Sequence, residues 1–258
     1  RLCRDWSSDV CSSDLALVIA ESHMQAQDAA EAVLVEYEDL PAVIAAQEAI
    51  AAGAPQLHDN IPGNLLLDFA GGDEAATNAA FERAARVVSL SAYHTRVVGN
   101  PMEPRACTGI YDAAADMYQL YACTQGASAM RGQIATVLGA APEKVRVIAE
   151  EVGGGFGVRF NAYPEYCAVL IAARKLGRPV KWVGTRSDVF LSDEQARDVV
   201  HRGEMALDDS GRILGMRFDF ICNLGAYVAF TGTFVNTVNL VNVASGVYDV
   251  QAIHVRAR

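Results

Sequence analysis

The stretch Glu150-Glu151-Val152-Gly153-Gly154-Gly155-Phe156-Gly157 decides how this chain reads. Four glycines in five residues lie between two segments of ordinary pattern. Ahead of them, Lys144-Val145-Arg146-Val147-Ile148-Ala149 reads as a strand. Behind them, residues 162–176 read as a helix. Pro164 stands in its first turn, Tyr166, Val169, Leu170 and Ala173 recur at helical spacing, and Gly177 and Pro179 stop it. A strand, a glycine loop and a helix N-terminus place backbone N–H groups where they can face an anion. The loop is therefore a candidate cofactor cradle.

The run departs from both common nucleotide motifs. It lacks the Lys-Ser/Thr pair of a P-loop. The third small residue of a dinucleotide fingerprint would fall at position 158, which is Val158, and Lys181-Trp182-Val183 stands where an acidic residue about 20 positions on is needed. A nucleotide-binding domain is disfavoured on both counts. A tight strand-to-helix turn on a cofactor-free scaffold remains the alternative from the loop alone.

A chain of 258 residues holds one large or two medium domains. Its 52% hydrophobic and 20% charged residues are a soluble globular composition. A formal net charge of −10 argues against nucleic acid as the main partner. No apolar run approaches the roughly 18 residues of a membrane span.

Residues 1–15 (RLCRDWSSDVCSSDL) stand apart, with neither an apolar run nor an amphipathic period. From Asp5 onward they read as a translated sequencing adapter, so the native chain is expected to begin near Ala16 and these residues to pack on nothing. Setting Cys3 and Cys11 aside leaves Cys107, Cys123, Cys167 and Cys222, each in an apolar stretch and none in a metal-ligand spacing. Buried free thiols are expected, as in a reducing compartment.

Residues 16–20 and 33–37 read as strands around a helix opened by the capping pattern Ser22-x-x-Gln25. Residues 41–75, with Pro41, Pro55 and Pro62, read as irregular. Beyond them, residues 81–85 read as helix, 86–93 and 117–123 as strands, 126–138 as a helix stopped by Gly139, and 180–183 as a strand. Residues 199–207 and 212–223 form a hairpin closed by Asp208-Asp209-Ser210-Gly211. Gln125 stands at a strand end before a helix, as the glycine loop does. If those two strands run side by side, both loops open at one edge, where α/β proteins bind ligands. A surface or capping glutamine is the alternative for Gln125 alone.

Several segments add to this reading by their order and spacing. They are Leu40-Pro41-Ala42-Val43 after Val35-Glu36-Tyr37-Glu38, Asn100-Pro101-Met102-Glu103-Pro104-Arg105, Thr124-Gln125, the run Val152 to Gly157, and Gly177-Arg178-Pro179-Val180-Lys181-Trp182 leading to Thr185-Arg186. Together they resemble the molybdenum-binding large subunit of the xanthine dehydrogenase and aldehyde oxidase family, most of all its aerobic carbon monoxide dehydrogenase branch. The resemblance covers residues 16–258. It implies an α+β (mixed α/β) fold: residues 16–37 as the tail of an α/β hammerhead domain, 38–62 as a linker, and 63–258 as the first part of a molybdopterin-binding domain.

The resemblance also implies an oxidoreductase. It would hydroxylate an aldehyde or N-heteroaromatic carbon with oxygen from water, or alternatively oxidise carbon monoxide. The implied cofactor is molybdenum–molybdopterin in its cytosine dinucleotide form. FAD and 2Fe-2S clusters would lie on a flavin-binding medium subunit and an iron–sulfur small subunit, in a dimer of heterotrimers. A cytoplasmic place is expected, with the periplasm left open. By position, Gln125 matches a glutamine that hydrogen-bonds a metal oxo ligand, and Gly154, Gly155, Phe156 and Gly157 match the cofactor loop. No residue here is implied as a direct metal ligand. The family's catalytic glutamate would fall beyond Arg258, so the chain alone is expected to be inactive. Glu103 matches the family pattern, either in support behind the cofactor or in an ion pair with Arg105. Phe160 stands where xanthine-oxidising members carry a substrate-binding glutamate, which puts purine hydroxylation in doubt.

Overall fold

A computed structural model describes residues 16–229 and 231–258. The expectation for residues 1–15 lies outside them. In chain order the main elements are α1 (His23–Glu31), β1 (Phe69–Gly72), α2 (Glu74–Glu82), β2 (Arg86–His94), β3 (Ala106–Asp112), β4 (Met117–Ala122), α3 (Ala127–Leu138), β5 (Val145–Ile148), α4 (Pro164–Leu176), β6 (Val180–Val183), α5 (Arg186–Ser192), β7 (Val199–Leu207), β8 (Ile213–Cys222) and β9 (Ile253–Ala257). The mixed helix and strand content agrees with the α+β expectation. The chain divides into two compact units, each made of two segments. One takes the residues up to Leu40 with Val98–Gln195, the other Pro41–Val97 with Ala196–Arg258.

The first unit is built on a four-stranded sheet in the order β5-β4-β3-β6. β4 and β5 run parallel, with Tyr118 opposite Val145 and Tyr121 opposite Ile148. Parallel neighbours need a crossover, and α3 supplies it. β3 pairs antiparallel with both β4 and β6. The helices close on the sheet through Leu120, Met130, Ile134, Val169 and Leu170, all fully buried. Local chemistry sets the helix limits. α4 opens with Pro164 and carries Arg174 and Lys175 in its last turn, where cations meet the negative end of the helix dipole. α3 ends on Gly139 at φ +61°. Because β4 and β5 are parallel neighbours, the segments leaving them, Gln125 and the glycine loop, emerge at one edge.

Two expectations fail here. Residues 16–20 and 33–37 form no strand, because neither finds a partner ladder among the described residues, and Leu34 is 93% exposed. α1 does form, with Ser22 Oγ accepting the Gln25 N–H at 3.3 Å. β3 was not legible in the sequence. Gly109 weakens its pattern, and glycine is needed there because a Cβ would come within 2.8 Å of the Val169 backbone on α4.

The second unit holds a five-stranded sheet in the order β1-β9-β8-β7-β2. β7 and β8 are the expected hairpin. Its turn is held by Asp208 Oδ1, which accepts from the Ser210 and Arg212 N–H groups at 2.9 Å each. Val199, Phe220, Val255 and Ala257 form the core on one face, covered by Leu240 and Val241. Part of the segment expected to be irregular is ordered. Ala46–Ala49 is a short helix, and Asn64 Nδ2 ties it down through the Ala49 and Pro55 carbonyls at 2.9 and 2.8 Å. Among the described residues no helix is long and apolar enough to cross a membrane.

Candidate cofactor cradle

All of the candidate residues lie in the first unit, at the edge where β4 and β5 end. Gln125 and the glycine loop are in direct contact. Gln125 Oε1 accepts the N–H of Gly157 at 2.8 Å and that of Arg159 at 3.3 Å. The glycines are required by close approach. A Cβ on Gly155 would stand 2.4 Å from the Gln125 side chain, and one on Gly153 would stand 2.5 Å from Glu103 Cβ. Gly157 is different. Its φ is +88° and a Cβ there would meet nothing within 4 Å, so its outer side is open. Phe156 holds φ +52°, an uncommon conformation for a bulky residue, and its side chain is 74% exposed.

The segment Asn100–Arg105 lies along the loop and is gripped by side chains. Glu103 Oε2 accepts the Gly153 N–H at 2.7 Å, and the Glu103 N–H reaches the Gly153 carbonyl at 3.4 Å. Arg186 donates to the Pro101 and Met102 carbonyls at 2.7 Å each and to Asn100 Oδ1 at 2.5 Å. Arg186 opens α5, whose N-terminus is fixed by a reciprocal capping box between Thr185 and Asp188.

Beneath the cradle lies a buried charge cluster. Asp193 is 0% exposed and takes Arg105 Nε on one oxygen at 2.5 Å and Arg159 Nη1 on the other at 2.6 Å. Arg105 also donates to Glu165 at 2.7 Å and to Ser192, and it lies over the Tyr163 ring at 3.9 Å. Two cations and two carboxylates balance. Burial alone would pull the Arg105 pKa down; Glu165 and Asp193 outweigh it and raise the pKa above the ordinary arginine range. Burial pushes the Tyr163 hydroxyl up as well, so it stays protonated and donates to the Val158 carbonyl at 2.8 Å. Neither Arg159 nor Asp193 stands out in the sequence. A buried arginine looks like a surface one in sequence, and the capping box at Thr185, two turns before Asp193, was the one local signal nearby.

The expected ion pair between Glu103 and Arg105 does not form. Arg105 turns into the interior toward Asp193 and Glu165, and Glu103 spends its carboxylate on the loop backbone instead. Phe160 is half-buried with its ring against Gly126, 3.4 Å from where a Cβ there would stand. Cys107, Cys123 and Cys167 are buried free thiols and Cys222 is half-buried, as their apolar surroundings predicted. Burial pushes the Cys167 and Cys222 thiols up to about 11.

The cradle presents donors. The N–H groups of Gly154, Gly155 and Phe156 meet no acceptor among the described residues, and neither does Gln125 Nε2. Since Oε1 faces two N–H groups, the outward end of the carboxamide must be its NH2. N–H groups that meet no acceptor among the described residues, beside an open flank at Gly157, suit a ligand that offers oxygen atoms or negative charge. Among the described residues no group of three or more His, Cys, Asp or Glu could hold a metal ion.

A parallel β-α-β unit with two loops leaving one sheet edge is the arrangement in which α/β folds place a ligand. The family model of the molybdopterin cofactor-binding domain matches residues 57–258, and the chain belongs to that family. It is similar to the carbon monoxide dehydrogenase large chain of Hydrogenophaga pseudoflava, 34% identical over 93% of this chain and 32% of that one. It is similar to the nicotine 6-hydroxylase large subunit of Paenarthrobacter nicotinovorans, 32% identical over 83% of this chain and 26% of that one. Among solved structures, quinoline 2-oxidoreductase from Pseudomonas putida 86 superposes with a TM-score of 0.84 at 32% identity, over 92% of this chain and 30% of that one. The chain thus spans about a quarter to a third of the length of these relatives.

Proposed function

We propose that the protein is the molybdenum-binding part of a hydroxylase that oxidises an aldehyde or N-heteroaromatic substrate with water-derived oxygen. The observation that carries this is the Gln125–Gly157 contact, which turns Gln125 Nε2 outward beside the free Gly154, Gly155 and Phe156 amides. These five residues would hold the molybdenum cofactor, proposed to be the cytosine dinucleotide form. When bound, it supplies the two-electron redox chemistry that the side chains here lack. The chain's own residues donate hydrogen bonds to it, fix its orientation and close the interior beneath it to water. Glu103 supports the loop from behind.

By analogy with relatives named as large chains and large subunits, the partners would be a flavin subunit and an iron–sulfur subunit carrying FAD and 2Fe-2S clusters, in a dimer of heterotrimers. Residues 16–37 would belong to a hammerhead domain, 38–62 to a linker and 63–258 to the cofactor domain, in a cytoplasmic enzyme. The relatives act on carbon monoxide, nicotine and quinoline by name, and the flat apolar ring of Phe160 favours a flat heteroaromatic substrate. The test is metal and pterin analysis of the full-length complex, followed by assays on quinoline, an aromatic aldehyde, carbon monoxide and xanthine. Molybdenum with a pterin dinucleotide and turnover of a heteroaromatic or an aldehyde is the expected result. Absence of molybdenum would overturn the proposal, and carbon monoxide or xanthine as best substrate would overturn its substrate assignment.

A further inference from the structure

The peptide groups of Arg159 are used from two directions by Thr124 and Gln125. The Arg159 carbonyl accepts the Gln125 N–H at 3.0 Å and the Thr124 hydroxyl at 3.0 Å. The Arg159 N–H reaches Gln125 Oε1 at 3.3 Å. The side chain of the same residue runs the other way and is 0% exposed. Its guanidinium holds Asp193 Oδ2 at 2.6 Å and the Glu103 carbonyl at 3.2 Å. One residue therefore ties Gln125 to an anchor in the protein interior.

This bears on which end of Gln125 faces the cradle. A carboxamide has an acceptor end and a donor end of nearly equal size. Two N–H groups aimed at one atom select oxygen for that place and leave Nε2 outward. One of those two N–H groups belongs to Arg159. Its position follows the guanidinium, which spans two acceptors on separate segments, Asp193 and Glu103. A planar fork can bridge both at once, whereas an ammonium acts as a point charge.

We infer that Arg159 is a positioning residue: by anchoring on Asp193 and the Glu103 carbonyl, it fixes the end of Gln125 that the cradle presents. The inference rests on the proposed cofactor site and reaches the cofactor only through Gln125. It assigns a buried residue without ligand contact to control of a surface donor. It also gives Asp193 a purpose beyond charge balance, as the point on which that control pivots.

The test uses the full-length complex as wild type, Arg159→Lys and Arg159→Met. Backbone hydrogen exchange at Gln125 is followed by mass spectrometry, with kcat, KM and melting temperature measured alongside. Loss of a hydrogen bond of about 1 kcal/mol speeds exchange about fivefold. The expected order of exchange at Gln125 is Met fastest, Lys intermediate and wild type slowest, beyond any change at the β7–β8 hairpin of the second unit. kcat per molybdenum falls in the same order, with KM within about twofold, because orientation of a cofactor contact acts on the chemical step. Lysine indistinguishable from wild type in exchange would overturn the inference, and so would a methionine variant that melts earlier yet keeps wild-type exchange at Gln125. Should the methionine variant not accumulate, the lysine comparison decides alone. A wild-type complex without molybdenum would overturn the proposed function only, since the exchange order still decides the role of Arg159.

Discussion

Gln125 Oε1 accepts the backbone N–H of Gly157 at 2.8 Å, across 32 residues of sequence. The bond joins the two loops that leave β4 and β5 and sets the polarity of the rim between them. Gln125→Glu would keep acceptors for both loop amides and remove the outward donor. The protein should fold with its melting temperature nearly unchanged. Turnover per bound cofactor should fall on the order of 10²-fold, the loss typical of one preorganised donor at a reacting centre. Steady-state kinetics normalised to metal content checks this.

Gly155→Ala should act on the same contact from the other side. Its Cβ would overlap the Gln125 side chain at 2.4 Å, so Gln125 or the loop must move. Overpacking of this kind costs about 1–3 kcal/mol. Gly157→Ala meets open space and carries only the strain of φ +88°, about 1–2 kcal/mol. Chemical denaturation of the two variants reads both costs. Only Gly155→Ala should also disturb hydrogen exchange at Gln125.

Asp193→Ala would leave two buried guanidinium groups, Arg105 and Arg159, short of their shared anion. Removing one partner from a buried ionic cluster costs about 3–5 kcal/mol. The variant should unfold at clearly lower denaturant, whereas Glu103→Gln, which touches only the loop backbone, should shift the midpoint little. Equilibrium denaturation of both gives the comparison.

Glu204 on β7 accepts from Arg217 Nε at 2.5 Å and from Ser89 at 3.1 Å. The Arg217 hydrogen bond, aided by Ser89, holds its carboxyl below the ordinary value of 4.5. A carboxylate depressed by folding binds its proton more readily when unfolded. Its contribution is therefore complete above the unfolded value and is lost as pH falls through the folded one. Stability should decline below about pH 4.5, with Glu204→Gln showing a shallower decline; denaturation at a series of pH values reads the difference.

Phe160 offers a purine no hydrogen bond. Phe160→Glu should raise activity on xanthine relative to an aromatic aldehyde by one to two powers of ten, since a charge-assisted hydrogen bond is worth about 1.5–3 kcal/mol. Competition assays on the full complex measure the ratio. An unchanged ratio would remove Phe160 from the substrate side of the site.

Most of the first unit was legible in the sequence, because its signals are local. Pro164 and Gly177 bound α4, Gly139 closes α3, and Val180–Val183 reads as a strand from its own residues. Residues 16–20 and 33–37 misled because alternating apolar residues make a strand only where a neighbouring ladder receives it. β3 stayed hidden because its central Gly109 serves a helix that lies 60 residues on.

The sequence by itself determined the cradle's backbone. Glycines at 153–155 and 157 permit close approach and positive φ, and their setting between a strand and a helix is a matter of local propensity. Only the tertiary structure decided what the cradle presents. It made β4 and β5 parallel neighbours, brought Gln125 onto Gly157, and sent Arg105 to Asp193 and Glu165 instead of Glu103. Those outcomes depend on which charges share a buried space, and a buried charge takes whichever partner the packing brings to it. That choice is made between segments distant in sequence, so no local pattern records it.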